Sequence, residues 1–530
     1  MAQKYEMQYQ PVTYQDFSGG WNPKWSVSNA TQLADNQSPM MVNIDYISRY
    51  AFTKRRGIIQ VGNALAASGV PWSLYTFRKA DGTEILMASI GTTMYYLNGS
   101  NVWTALPSCP TFTTSLKFGF ETIDGVVYFG NGVDGFYSWD GTSAVVATGG
   151  NPKGNIFLGA LTRLFVAGVA SDPTTLYYSA GGNPLQFGSP GGTQGFPDNI
   201  TSLLAFNLST GDEVVQIVLS NGDLYHFLFD ANGDPSLQHV RSNVGGLVHR
   251  ANAQVENANV ILDQFRQIRA IGYQAYYQDI RSEARSILID VYMNTLNVTN
   301  ASSAYFLKNY YVSAQEPGAT ANNITLLYDE NYQSWRLYNG FGANQFTVYG
   351  TNQTALATKV LFASSSQPYI FQLEPTAYDD NGIPIYSRFD TKDMDFGVPI
   401  DDKNVRFVKI AGKISSGCLL YIYGYYDGET TVPAFTKIID GNGAYVDVVT
   451  PPVYGSFMFG VSSFGGPGGT TTVIPVNPFQ VVFSCPGGEP FSSLRLSFVN
   501  EQADVDFVIT QIKPYTDILD GSRIEPARFI

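Results

Sequence analysis

Residues 123–141 read Ile123-Asp-Gly-Val-Val-Tyr-Phe-Gly130 and then Asn131-Gly-Val-Asp-Gly-Phe-Tyr-Ser-Trp-Asp-Gly141. An Asp-Gly or Asn-Gly pair between apolar runs is the strongest short signal of a β-hairpin. An earlier stretch has the same order of strand, turn, strand and aromatic residue, with Ile85-Leu-Met-Ala-Ser-Ile90 followed by Thr93-Met-Tyr-Tyr-Leu-Asn-Gly99 and Trp103. The two copies predict a repeat built from hairpins.

Related units continue towards the C-terminus. One of them pairs Val214-Val-Gln-Ile-Val-Leu219 with Leu224-Tyr-His-Phe-Leu-Phe229 around the turn Asn221-Gly222. The closing strands recur at intervals of about 40–50 residues, which is the period of a four-stranded propeller blade. The repeat therefore predicts an all-β protein with a β-propeller of six or seven blades over residues 65–383.

The two ends of the chain lack this rhythm. Residues 1–64 show no sustained period and are predicted to form an extended N-terminal arm with the first strands. Residues 384–530 contain longer strands, which predict a C-terminal antiparallel β-sandwich. Within the repeats, Ser282–Met293 has apolar residues at helical spacing and predicts one short helix between blades.

Composition agrees with many short strands. The 530 residues include 52 Gly, 34 Tyr and 34 Phe, and only 14% are charged, against about 25% in an average soluble protein. Glycine with aromatic residues is typical of strands joined by tight turns. The first residues have no apolar signal region, and no apolar run reaches the ~18 residues of a membrane helix, so we expect no membrane span.

The chain carries 44 acidic and 31 basic residues, a formal net charge of −13. This charge disfavours general binding to the phosphate backbone of nucleic acids. It remains compatible with a protein past which DNA slides without sticking.

No catalytic, metal or cofactor site is predicted, and we expect no cofactor and no enzyme activity. The three histidines have no ligand spacing, and the three cysteines lie far apart. The acids between Asp379 and Asp395 miss the calcium-loop register, so they are interpreted as a turn at the domain boundary. The repeated boxes of propeller sialidases are absent.

The basic cluster Lys54-Arg55-Arg56 leaves three interpretations open: a contact with acids of a neighbouring subunit, a contact with DNA phosphates, or a solvated turn. We place it among the candidate inter-subunit residues, because an acidic ring needs positive groups where its subunits meet. Trp21 and Trp25 join the candidates, since they lie in an arm without a sheet of its own and exposed aromatics of that size are costly.

An ordered set of short motifs resembles a family. It starts with Phe17-Ser-Gly-Gly20, Asn43-Ile-Asp45 and Lys54-Arg-Arg-Gly57. It continues over about residues 15–340 with Phe129-Gly-Asn-Gly-Val-Asp134, Arg163-Leu-Phe165, Thr210-Gly-Asp212 and the pair Tyr328-Asp329 and Trp335. Together these motifs resemble the β-propeller proteins of phage tails, and most of all the tail nozzle (tubular) proteins of short-tailed bacteriophages.

The resemblance implies a structural protein of the virion tail. Its expected partners are further copies of itself in a homo-oligomeric ring, typically a hexamer, and neighbouring tail proteins such as the adaptor and a fibre or spike. Double-stranded DNA would pass through the ring during genome ejection. The alternative is a receptor-binding or glycan-binding protein of the tail tip, which would use loop aromatics such as Tyr425, Tyr426 or Tyr454.

Overall fold

The structure, a computed structural model, describes residues 10–11, 13–24, 33–65, 68–208, 211–230, 233–241, 244–255, 258–274, 279–350, 359–396, 403–442, 444–448, 472–473, 479–485 and 491–518. Within these ranges the protein is all-β, as predicted, and its helical residues are the 3-10 turns His249–Ala251 and Ile287–Ile289 and the α-helical turn Asp290–Met293. The chain forms two compact units. Unit 1 comprises Met1–Gly57, Tyr332–Tyr338 and Pro375–Ile530, and unit 2 comprises Ile58–Asn331 and Asn339–Glu374.

Unit 2 is a series of antiparallel sheets in chain order. Sheet 1 contains Pro71–Arg78, Glu84–Ile90, Thr93–Leu97 and Trp103–Ala105, and sheet 2 contains Gly119–Ile123, Val126–Gly130, Phe136–Trp139 and Val146–Ala147. Sheet 3 contains Ile156–Ala160, Arg163–Ala167, Thr175–Tyr178 and Gly192–Gly195, and sheet 4 contains Ile200–Asn207, Glu213–Leu219, Leu224–Phe229 and Pro235–Arg241. Sheet 5 contains Ala253–Val255, Ala258–Leu262, Ile268–Gln274 and Asp279–Ala284.

Two further sheets complete unit 2. Sheet 6 contains Asn297–Phe306, Asn309–Gln315 and Ile324–Asp329. Sheet 7 contains Ala343–Tyr349, Lys359–Ser364 and Ile370–Glu374, and its next strand is the earlier segment Gly57–Val61. A strand from the start of the unit thus joins the last strands in the sequence.

The first strands of the seven sheets form a closed series of contacts. Each first strand contacts the first strand of the next sheet, and Ala343–Tyr349 of sheet 7 returns to contact Pro71–Arg78 of sheet 1. Trp103 in the last strand of sheet 1 also contacts the strand Gly57–Val61 of sheet 7, because its indole Nε1 donates to the carbonyl oxygen of Val61 at 2.9 Å. The first strands therefore surround the middle of unit 2.

Aromatic side chains fill the spaces between neighbouring sheets. Between sheets 1 and 2, Phe77, Phe118, Phe129 and Trp139 are almost fully buried in one cluster. The rings of Tyr75 and Phe120 stack across these sheets with centroids 5.0 Å apart. Such pairs add about 0.5–1.5 kcal/mol to the burial of their area, so Trp139, the aromatic residue that closes the second repeat, is a core residue.

Unit 1 contains two larger sheets. The first runs in the order Phe479–Ser484, Lys403–Ile414, Phe507–Ile518, Ala51–Lys54 and Ile44–Ser48, with Gln10–Pro11 also paired to Phe507–Ile518. The second runs Ser334–Asn339, Met41–Val42, Ser387–Asp390, Leu494–Asn500, Leu419–Tyr426, Phe435–Asp440, Ala444–Val448 and Thr472–Val473. Two short pairs accompany them, Gly20–Trp21 with Gln37–Ser38 and Asp379–Asp380 with Ile383–Pro384.

The two sheets of unit 1 share an apolar interior. Phe52 of the first sheet stacks on Phe389 of the second with ring centroids 4.2 Å apart, and Phe498 approaches it edge-on at 5.9 Å. Phe435 and Phe483 make a second contact between the sheets, at 6.0 Å. These contacts bury strands from both ends of the chain together.

The structure differs from the expected organisation at two points. The sequence predicts an extended N-terminal arm over residues 1–64, followed by a propeller over residues 65–383. In the structure, the N-terminal segment through Gly57 and the C-terminal segment from Pro375 belong to the same compact unit. The expected helix over Ser282–Met293 is limited to Asp290–Met293 after a 3-10 turn, because Asp279–Ala284 pairs with the preceding strand of sheet 5 instead. Both differences come from pairing between strands, which local spacing does not record.

Candidate functional site

The motif residues that open the chain converge inside unit 1. The ring of Phe17 meets the ring of Phe52 edge-on, with centroids 4.9 Å apart. Gly20 adopts φ +73°, and a Cβ atom there would lie 2.7 Å from the carbonyl oxygen of Trp335. Only glycine fits this backbone and this approach. The first motif therefore shapes a packed turn against a residue more than three hundred positions later.

Arg55 occupies the centre of this region. Its side chain is 1% exposed, and its Nη1 and Nη2 donate to the two carboxylate oxygens of Asp380 at 2.8 and 2.6 Å. Its Nε donates to Oδ1 of Asn43 at 2.8 Å, and its guanidinium lies 5.6 Å from the ring centroid of Tyr338. A forked, paired geometry of this kind is what a buried guanidinium requires.

Lys54 is equally buried, with no exposed surface. Its Nζ donates to the carbonyl oxygen of Gln502 at 2.8 Å and lies 3.4 Å from Oδ1 of Asn500. Because these acceptors are neutral and the site is dry, burial lowers the pKa of Lys54 to about 8. The lysine holds the strand Ala51–Lys54 to the C-terminal part of unit 1.

Arg56 alone of the three bases reaches the surface, with 34% of its side chain exposed. Its Nη1 lies 3.6 Å from Oδ2 of Asp506, and its guanidinium lies 4.5 Å from the ring centroid of Tyr378. Burial raises the pKa of Asp506, although the Arg56 charge opposes that shift. Of the three bases, this is therefore the side chain that another molecule can reach, although its Nη1 atom is itself buried.

The candidate inter-subunit residues thus have different surroundings. Trp21 is 4% exposed and its Nε1 donates to the carbonyl oxygen of Pro39 at 3.2 Å. Lys54, Arg55 and Trp21 offer no surface to a neighbour in this structure, because their contacts lie within unit 1. Trp25 lies outside the described residues. A subunit contact stays a prediction that Arg56 can fulfil.

Sequence reasoning missed the partners of the acids between Asp379 and Asp395. Their spacing predicts a boundary turn, yet three of them neutralise arginines: Asp380 and Asp393 pair with the buried Arg55 and Arg495, and Asp390 pairs with the half-buried Arg388. A further pair joins Arg336 to Asp45 at 2.6 Å. Each pair removes one positive and one negative charge, so the excess of 13 negative charges, 44 acids less 31 bases, remains for the rest of the chain.

Unit 2 has a cleft of about 480 Å³ where sheets 7, 1 and 2 meet. Its polar side chains bond to each other: Arg78 donates to Glu84 at 2.8 Å, and the hydroxyls of Tyr75 and Thr122 lie 3.0 Å apart. Among the described residues that line it, Glu84 is the one carboxylate. These residues therefore do not supply the paired acids that glycoside hydrolysis needs.

The aromatics considered for sugar binding are not displayed as a platform. Tyr425 is 7% exposed, and Tyr426 stacks on Phe491 with ring centroids 4.2 Å apart. Tyr454 lies outside the described residues. Trp103, Trp139 and Trp335 are all buried. These side chains contribute to the cores of the sheets.

Metal-binding clusters and membrane-spanning helices are both absent from the described ranges. No group of three or more His, Cys, Asp or Glu residues is placed to hold a metal ion there. No helix within them has the length and apolarity needed to cross a membrane. Burial lowers the pKa of His226, in the third strand of sheet 4, to about 4, as fits a buried histidine whose ring lies 5.6 Å from that of Phe206.

Comparisons with known proteins return folds only. No protein-family model matches the sequence, and no curated protein matches it. Similar solved structures include the computationally designed Ika8 protein, with TM-score 0.36 and 11% identity over 68% of this chain and 99% of that one. The β-propeller domain of Cps50 (Swd1) from Myceliophteria thermophila has TM-score 0.39 and 10% identity over 59% of this chain and 99% of that one. The WD40 β-propeller domain of Doa1 has TM-score 0.38 and 10% identity over 60% and 98%. At these TM-scores the similarities carry no argument about function.

Proposed function

We propose that the protein is a structural component of a bacteriophage tail. Identical subunits, six in the simplest case, form a nozzle-like ring that extends the DNA conduit during genome ejection. The observation that carries this proposal is the convergence in unit 1 of the motifs that resemble tail nozzle proteins, through Phe17, Gly20, Asn43, Arg55 and Trp335. Residues of a shared motif that all serve packing favour a scaffold over a reactive site.

The proposal includes a finer description of the fold. The seven sheets of unit 2 are the blades of one β-propeller, which the strand Gly57–Val61 closes by joining the last blade. The two sheets of unit 1 form a β-sandwich built from both ends of the chain, supported by the contacts of Phe52 with Phe389 and of Phe435 with Phe483. Both units gain rigidity from burying strands distant in sequence.

The negative net charge of the chain is compatible with the passage of DNA through a ring of its copies. Duplex DNA carries one negative charge per ~1.7 Å, and every lysine or arginine contact adds affinity by releasing counterions. A wall that bound its cargo would slow ejection. In this chain several arginines are neutralised inside unit 1, and the net charge is −13. An acidic or neutral wall follows from this balance.

Reconstruction by cryo-electron microscopy of the particles made by the phage that encodes this chain tests the proposal. The expected result is a closed ring of identical copies around the tail axis, without a continuous stripe of Lys and Arg along the channel. A copy that stands off the axis as a fibre or tip protein would favour receptor binding. Absence of the chain from the particle would refute both roles.

A pair of variants tests the subunit contact. Arg56→Ala should lower the fraction of chains in closed rings, measured by mass photometry and negative-stain imaging, because its side chain is 34% exposed and carries a positive charge that acids of a neighbour can approach. Arg49→Ala is the control, since Arg49 is an exposed base of the same unit. Equal ring formation by both variants would remove Arg56 from the interface.

A further inference from the structure

Two partly buried basic side chains of unit 2 lie near each other and have no carboxylate partner among the described residues. Lys117 stands two residues before the first strand of sheet 2, and Arg250 lies in the 3-10 turn that precedes the first strand of sheet 5. Among the described residues, neither base forms an ion pair with an acid. Buried arginines elsewhere in the protein do form such pairs, so this arrangement is an exception.

The contacts of Lys117 place it in the middle of the ring of first strands. Its Nζ donates to the carbonyl oxygens of Asn300 in sheet 6 and Asn344 in sheet 7, each at 3.0 Å. Sheets 2 and 6 are not neighbours in the ring, so a side chain can join them only across the interior. Asn344 also donates to the carbonyl oxygen of Pro71 in sheet 1 at 2.9 Å, which closes this side of the site.

Arg250 approaches the same place from the other side. Its turn, His249–Ala251, packs against the first strands of sheets 4 and 6. The turn is held by the hydroxyl of Tyr310, which donates to the carbonyl oxygen of Ala251 at 2.5 Å, and by Ser202, whose Oγ lies 3.1 Å from Nδ1 of His249. The terminal Nη2 of Arg250 is buried and has no hydrogen-bond partner.

These two cations are also close enough to affect each other. Burial, and then the Arg250 charge, lower the pKa of Lys117 to about 7. Burial likewise lowers the pKa of Arg250 to about 10, and burial with the Arg250 charge lowers the pKa of His249 to about 3, so that this imidazole is neutral. No acid opposes these shifts. The site therefore holds excess positive potential and an unused donor.

We propose that Lys117 and Arg250 form a binding site for a small oxyanion of the phosphate or sulfate type at the end of the ring where the first strands begin. Such an anion accepts charge-assisted hydrogen bonds from the ammonium and from the arginine fork, and it satisfies the free Nη2 donor. It also reduces the repulsion between two positive charges in a partly buried site. The bound anion stabilises the ring that the first strands of the seven sheets form within unit 2.

Isothermal titration of the full-length chain with sodium sulfate tests the site, because the charge of sulfate stays constant through neutral pH. The wild-type chain should bind with one saturable site per chain. Lys117→Met and Arg250→Gln should each weaken binding about ten- to hundredfold, the usual effect of losing one hydrogen bond to a charged group. Inorganic phosphate should compete with sulfate for the same site.

Lys153→Met is the matched control, since Lys153 stands three residues before the first strand of sheet 3 but is exposed. It should leave the affinity for sulfate unchanged. Lys117→Arg should retain binding because it keeps the positive charge, and the circular dichroism spectrum of Lys117→Met should match that of the wild type, so that its loss of binding is not a failure to fold. Sulfate affinity of the wild type should also fall as the pH rises through the lysine pKa of about 7, and this slope should vanish in Lys117→Met.

Three results would overturn the proposal. The first is the absence of saturable sulfate binding by a folded wild-type chain. The second is unchanged affinity in both Lys117→Met and Arg250→Gln. The third is an equal loss in Lys153→Met, which would indicate diffuse attraction to surface bases. None of these results depends on whether the protein forms a tail ring.

Discussion

Replacement of Arg55 by methionine is the perturbation that most directly examines the centre of unit 1. Methionine keeps much of the apolar stem but removes the guanidinium that satisfies Asp380, Asn43 and the carbonyl oxygen of Arg56. The carboxylate of Asp380, 11% exposed, is then left buried without its partner. Breaking a buried ion pair on one side costs about 3–5 kcal/mol.

Native-state hydrogen exchange of the strand Ala51–Lys54 measures this cost where it arises. A loss of about 3–5 kcal/mol corresponds to a fall in amide protection of roughly 10²- to 10⁴-fold, at 1.36 kcal/mol per factor of ten. Exchange is preferable to one global unfolding curve, because a chain with two compact units need not unfold in a single step.

Arg49 supplies the matched control. Its Nη2 lies 2.6 Å from Oδ2 of Asp16, the same separation as in the Arg55 pair, but its side chain is 57% exposed. Arg49→Met should change protection little, since solvent screens exposed pairs. The double variant Arg55→Met with Asp380→Leu should regain much of the loss, because no charge is then left buried. Similar losses in Arg55→Met and Arg49→Met would refute the reasoning that burial sets the effect.

Three further predictions concern unit 1. Gly57→Ala should cost about 1–3 kcal/mol or more in a urea titration, because its Cβ would lie 1.8 Å from the carbonyl oxygen of Asp379, whereas Gly99→Ala has open space and should be neutral. In the folded protein the pKa of Lys54 is lowered from 10.5 to about 8, so between these pH values the unfolded chain binds more protons. The contribution of Lys54 to the free energy of unfolding therefore rises with pH over this range. Lys54→Met should lack this rise, and an identical pH profile of stability in both proteins would contradict the prediction. Phe52→Ala should lose about 3–5 kcal/mol, because the ring is fully buried against Phe17 and Phe389, while Tyr50→Ala at an exposed position should lose little in the same measurement.

The candidate site could be predicted from the sequence only in part. The order of short motifs marked Phe17, Gly20 and Arg55 as residues of interest and, through the resemblance, predicted a structural protein. It did not indicate that Arg55 and Lys54 are buried, because a run of three bases looks the same on a solvated turn and in a core. The acids that neutralise the arginines follow more than three hundred residues after Arg55 and resembled a polar turn.

Local chemistry alone determined the all-β class and the hairpins of the repeat. Asp124-Gly125 and Asn221-Gly222 could be interpreted as turns because glycine there takes positive φ at no steric cost, +74° and +100° in the structure. Alternation and aromatic closure are likewise properties of neighbouring residues, so a single sequence records them.

Tertiary structure decided which distant strands meet. Gly57–Val61 joins Ile370–Glu374, Lys54 reaches Gln502, and Phe52 stacks on Phe389. It also brought Lys117 and Arg250 into one interior. Each of these contacts depends on shape and burial across hundreds of residues, and such pairings leave no period in the chain. The sequence by itself therefore determined the repeating hairpins. Only the tertiary structure decided which distant strands pair to close the series of sheets in unit 2 and which residues surround the buried charges.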